Sequence, residues 1–212
     1  MHKPPPVGTT SIADTAEQPG PHGAEQHVLF RDYETHSRLK LKSVGTHRYA
    51  AAADTGVTCC DYAVGDEPVK LWQPGDAIPV EFVEAANNPH WTAVAHGDHF
   101  ESAIERHIMA SRFGFPIIPA ERHACTMAMA LAFGLPARLS AAADTLELAN
   151  RKDAAGERLR QQMSKPRRAR QGEDPSQIHW FDDEDRLQRL YAYNKQDVET
   201  MRELFWRLRC CR

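Results

Sequence analysis

At 212 residues, with 42% hydrophobic and 26% charged side chains, the chain has the make-up of a globular protein built on one main domain. A net charge of −3 excludes a general electrostatic pull toward nucleic acid, so any such contact must come from a local basic patch. No apolar run approaches the roughly 20 residues of a membrane-spanning helix, and the five cysteines, two pairs of them adjacent, lack the spacing of a disulfide framework.

Residues 1–24, rich in Pro, Gly, Ser and Thr and without the apolar core of a signal peptide, read as a disordered leader. With the cysteines unpaired, the expected location is cytoplasmic. A domain is expected over 25–208, followed by a short tail over 209–212. Its first strand is the apolar run through 27–33. A mixed segment from Leu39 to Ala53 is expected to cross the sheet edge. Val57–Val64 reads as a second strand, Gly65-Asp66 as a turn and Pro68–Trp72 as a third strand, which together make a hairpin. A short helix over Val80–Ala86 and a strand over Trp91–Ala95 come next.

From Asp98 the period becomes helical. Phe100, Ala103, Ile104, His107, Ile108 and Ser111 share one face, and Gly114 and Pro116 end the run. Thr126–Phe133 reads as a helix closed by Gly134-Leu135-Pro136, and Ser140 as the cap of another that reaches about Asn150. A long helix is expected from Asp183 to Leu208. Between them, Arg151 to Arg170 is strongly basic, either a solvated face or a segment that contacts phosphates. Strands first, paired by hairpin, and helices after them predict an α/β layer fold on a mixed sheet.

Three places hold acids where strands end or helices begin. In Asp32-Tyr33-Glu34 the two carboxylates point to one side of a strand, because side chains alternate with period 2. Parallel carboxylates at a strand end suit a hard divalent cation bound through oxygen. The second place is His96-Gly97-Asp98-His99-Phe100-Glu101, at a strand-to-helix junction. The third is Tyr193-Asn194-Lys195-Gln196-Asp197, where Tyr193 and Asp197 stack on one helical face. A zinc site is the competing reading, but His90, His96, His99, His107 and His123 do not have the spacing of a closed site with Cys125.

In this order, Asp-x-Glu, Phe-Glu after a strand and Tyr-x-x-x-Asp resemble the motifs of the DEDD 3′–5′ exonucleases, the tyrosine variant above all. The segments Val28–Ala50, Asp61–Trp72, Val94–Phe100, Cys125–Leu139 and Tyr191–Leu204 are similar to the proofreading domain of phage-type family A DNA polymerases. Local signatures are the run Lys42 to Ala50, Gly134-Leu135-Pro136 and Lys152-Asp153-Ala154-Ala155-Gly156.

The resemblance implies a ribonuclease-H-like mixed β-sheet flanked by α-helices and a mechanism that uses two divalent cations, Mg²⁺ or Mn²⁺. It makes Asp32 the ligand shared by both ions. Glu34 and Asp197 would complete the nucleophile side, and Glu101 would serve the second ion, with Asp98 as its alternative. Tyr193 would orient the attacking water, since a phenol near pKa 10 is a poor base. Nucleic-acid contacts are expected from His96, Phe100, Lys152, Arg167, Arg168 and Arg170, with a single-stranded DNA 3′ end as partner. The chain is either a free-standing exonuclease or part of a longer polymerase, with a polymerase domain or polymerase partner in the second case. The pattern departs from the family at Gly97, where Asn is usual, and at Glu101, where many relatives carry Asp. The alternative function is a module that grips a single-stranded 3′ end without cutting it.

Overall fold

The computed structural model describes residues 27–149 and 154–210; the expected leader and Lys152 lie outside them. Five strands make one mixed sheet in the order β3-β2-β1-β4-β5. They are β1 His27–His36, β2 Gly56–Val64, β3 Lys70–Trp72, β4 Trp91–Ala95 and β5 His123–Cys125. The hairpin side is antiparallel, whereas β4 runs parallel to β1 and β5 parallel to β4. The fold is ribonuclease-H-like.

Strand alternation divides the core in two. Leu29 and Tyr33 face one layer, where Phe82, Ile104, Ile108 and Phe115 pack on them. That layer comes from α3 (Val80–Asn87) and α4 (Asp98–Ile104), and α4 continues as a π-helical stretch over Glu105–Phe113. Val28 and Phe30 face the opposite layer of α5 (Thr126–Ala132), α6 (Leu139–Thr145) and α8 (Glu184–Arg209). There Phe205 meets Phe30 edge-on at 5.4 Å. Asp183 caps α8 by accepting from the Arg186 backbone N–H at 3.3 Å. No helix of the described residues is long and apolar enough to cross a membrane.

Several elements differ from expectation for physical reasons. β1 runs on to His36 because its pairing with β2 continues to Gly56, past the apolar residues that periodicity detects. Leu39–Ala53 folds into two short helices, α1 (Leu41–Val44) and α2 (Thr46–Ala50). The helix after Asp98 widens at Glu105, which turns Glu105 and Met109 inward and leaves Ser111 exposed. β5 is three residues with no alternation to read. Ser140 is not a cap: α6 starts at Leu139 after Arg138, without a side-chain cap, and ends at Thr145. Within the basic run lies a helix, α7 (Ala154–Met163), and α8 takes in Arg209.

Candidate active site

β1 outruns its parallel neighbour. The last parallel pair is Phe30 with Val94, so Asp32 and Glu34 stand beyond the pairing with β4. The strand order changes direction at β1: the chain steps outward from it to β2 and β3, then crosses back through α3 to place β4 on its other side. Ligands of α/β sheets bind in the crevice at such a switch point. Both carboxylates share the face of Phe30, the face covered by α8.

After β4 the chain must turn into α4 within two residues. Gly97 makes the turn with φ 95° and ψ 42°, a left-handed conformation. A Cβ there would meet nothing within 4 Å, so conformation and not space restricts the position. Asn tolerates that region better than most residues.

The first turn of α4 carries two acids with different fates. Asp98 accepts from Arg31 at 2.9 Å and pairs with His123 at 3.0 Å. Burial opposes its charge, yet His123 and Arg31 hold it down to about 2. Asp98 is therefore committed to a structural ion pair, which argues against it as the alternative to Glu101. Arg31 is fully buried and also binds Glu105 at 2.6 Å, on the sheet face away from Asp32. Glu101 is 3% exposed, and its Oε2 has no hydrogen-bond partner among the described residues. Burial pushes its carboxyl well above the usual range, and Asp32 pushes it further.

The third motif is docked on the first by Asn194. Its Nδ2 donates to the Asp32 carbonyl at 3.1 Å and to Asp61 Oδ2 at 2.8 Å. Asp61, on β2, is the register partner of Asp32 and is 2% exposed. Burial, with Asp32 adding to it, raises its carboxyl to about 7 against the opposing hydrogen bond from Asn194. Tyr193 and Asp197 are buried on the same side of α8. Burial and then Asp197 and Glu157 raise the Tyr193 phenol far above its ordinary value.

α7 closes over this corner. The Tyr193 hydroxyl donates to Glu157 at 2.9 Å, and Arg160 of the same helix lies within electrostatic reach of Glu34. Sequence reasoning missed Asp61, Asn194, Glu157 and Arg160. Two had a visible signal: Asp61 interrupts an apolar strand, and Asn194 sits inside Tyr-x-x-x-Asp.

No three His, Cys, Asp and Glu side chains among the described residues converge as a ready-made metal centre. The chemistry of the donors nonetheless fits a hard divalent cation. They offer only carboxylate oxygens, one of them the buried, partnerless Oε2 of Glu101 beside Asp32.

The expected nucleic-acid contacts fare unevenly. His96 is tied to Thr126 at 2.9 Å and to the Ala137 carbonyl at 2.8 Å, which joins the β4 end to the loop before α6. Phe100 is half-buried and leans on Tyr49, with ring centres 6.1 Å apart. Arg167 is spent on Glu173 at 2.6 Å and the Trp180 carbonyl at 2.7 Å. Arg170 pairs with Asp182 at 3.1 Å, and Arg168 is exposed.

No family model matches the chain. Over 182 residues, 84% of its length, it is 32% identical to a DNA polymerase of Bacillus phage SP02, of which it spans 27%. NrnC of Brucella melitensis shares the fold at a TM-score of 0.50 and 16% identity, over 86% of this chain and 72% of that one. In its motifs, its fold and its likeness to part of a phage polymerase, the chain resembles a DEDDy-type 3′–5′ exonuclease domain.

Proposed function

We propose that the chain is a metal-dependent 3′–5′ exonuclease that removes nucleoside 5′-monophosphates from DNA 3′ ends, of the proofreading type. The observation that carries this reading is the Asn194 bridge. It sets the Tyr-x-x-x-Asp helix against Asp32, at a strand end where the buried Glu101 has an oxygen without a partner.

Asp32, Glu34, Glu101 and Asp197 are the residues that would hold divalent cations. When bound, such ions polarise the scissile phosphate and acidify an attacking water. Tyr193 keeps its proton at any working pH, because burial and the neighbouring acids oppose its ionisation. It can therefore align a water but not deprotonate it. Glu101, too, is stable as an anion only beside a positive charge, so proton release there is linked to cation binding. Arg168 offers an exposed charge for the strand's phosphates, and the half-buried Phe100, next to Glu101 in the chain, offers an aromatic ring.

The test is shortening of a single-stranded oligonucleotide labelled at its 3′ or its 5′ end, with Mg²⁺ or Mn²⁺ and with EDTA. Metal-dependent mononucleotide release from the 3′ end, abolished by Asp32→Ala in a folded protein, is the expected result. Binding without shortening would identify a non-catalytic 3′-end module instead.

A further inference from the structure

The basic run between α6 and α8 contains the least anticipated contact of the site. Gly156 of α7 lies so close to Tyr193 that a Cβ there would overlap the ring. The next residue, Glu157, accepts the Tyr193 hydroxyl at 2.9 Å. Among the described residues, Arg160 Nη2 at 2.8 Å and Gln161 Nε2 at 2.7 Å also donate to the carboxylate. An i,i+3 Glu–Arg pair on a helix is ordinary and weak. What sets this one apart is the third donor, a phenol from another helix. Burial works against the charge of Glu157, but Arg160 and Gln161 outweigh it and keep it ionised. An ionised carboxylate only accepts, so the direction of the bond is fixed: Tyr193 donates.

From this arrangement we infer that Glu157 is a positioning residue for Tyr193. With its proton committed to Glu157, the phenol oxygen can serve a water only as an acceptor. A water that donates one hydrogen to Tyr193 turns a lone pair away from the ring, toward the phosphorus. As its oxygen bonds to phosphorus, the water releases its other proton to solvent, the bond to the 3′ oxygen breaks, and the leaving oxygen takes a proton from solvent. Without Glu157 the hydroxyl can rotate and donate to the water, which occupies the lone pair that attacks. The inference rests on the exonuclease reading above and deepens it by adding α7 to the site.

The experiment is a double-mutant cycle on the full chain with Mg²⁺ and a 3′-labelled oligonucleotide. Glu157→Ala should lower kcat about tenfold, on the scale of a misaligned nucleophile, with KM unchanged. Glu157→Gln, which keeps an acceptor oxygen, should recover most of that loss. Tyr193→Phe should be slow, and Glu157→Ala added to it should cost nothing more. Equal losses in both backgrounds would overturn the inference, as would a wild-type kcat in Glu157→Ala.

A second readout needs no activity. The fluorine resonance of 3-fluorotyrosine placed at position 193 should shift in Glu157→Ala and stay near its place in Glu157→Gln. If the wild type does not shorten DNA at all, the exonuclease reading fails and the catalytic role of Glu157 with it. A fluorine shift would then mark the contact as a structural tie only.

Discussion

Asp61→Asn tests the electrostatics of the site without touching a residue of the three motifs. In the folded protein the Asp61 carboxyl is raised from 3.8 to about 7 by burial, with Asp32 adding to it. The shift of about three units, at ~1.4 kcal/mol each, sets a pH-dependent cost of about 4 kcal/mol. The sign follows from proton counting. Between pH 4 and pH 7 the native state holds a proton on Asp61 that the unfolded state has lost, so stability falls as pH rises through that window. Asparagine mimics the protonated acid, and its Oδ1 can still accept from Asn194. The variant should match the wild type near pH 4 and exceed it by up to about 4 kcal/mol near pH 8.5. Denaturant melts of both proteins in EDTA at the two pH values measure this. The price is function, because a negative charge beside Asp32 is lost and divalent-ion affinity should drop. Parallel stability curves for the two proteins across the range would refute a buried, destabilising carboxylate at Asp61.

Four further perturbations separate structural from functional contacts. Arg31→Met leaves Asp98 and Glu105 without their cation in the interior and should cost about 3–5 kcal/mol in a denaturant melt; under 1 kcal/mol would mean that Arg31 is not the clamp described. Gly156→Ala drives a methyl into the Tyr193 ring and should destabilise by about 1–3 kcal/mol while slowing cleavage, and a wild-type melt with wild-type rate would contradict the close packing of α7 on α8. Arg168→Ala should reduce the salt dependence of DNA binding by about one counterion. Arg167→Ala should instead open the segment around the Arg167–His179 bridge to limited proteolysis, and a resistant segment would count against its structural role.

The sequence made four of the five strands and the order of the acids legible because both depend on short-range periodicity, whereas the three residues of β5 show none. Asp32 and Glu34 share a face by alternation alone, and Tyr193 and Asp197 share one by helical spacing. What escaped depends on docking. Glu157 reaches Tyr193 only because α7 folds back over α8, and the charge count of 151–170 masks the helix within it. The same count overstated the basic patch, since Arg167 and Arg170 are balanced by Glu173 and Asp182, acids that follow the window in sequence. The π-helical stretch was equally invisible: a 3.6-residue period assigns Ser111 to the buried face, whereas the wider turn buries Glu105.

Strand alternation also explains why α4 carries more acids than a metal site requires. Odd positions of β1 put Arg31 into the interior opposite Asp32, and a buried guanidinium needs counter-charges. Asp98 and Glu105 supply them from one side of the helix, at 2.9 Å and 2.6 Å. Glu101 lies between those two in sequence and on the same helix, yet it forms no ion pair with Arg31. The attraction of Arg31 eases its charge, but burial and Asp32 act more strongly in the other direction. Two of the three acids are thus consumed in fastening α4 to the sheet, and the third is left with a buried oxygen that has no hydrogen-bond partner among the described residues. On the proposed reading, Arg31, one residue before Asp32, claims Asp98 and leaves Glu101 as the candidate ligand, and swapping the two acids should not swap their roles. Asp98→Asn should cost stability and spare much of the activity, whereas Glu101→Gln should spare stability and remove activity. Melts and cleavage rates of the two variants measured side by side decide the point, and the reverse pattern would return the ligand role to Asp98.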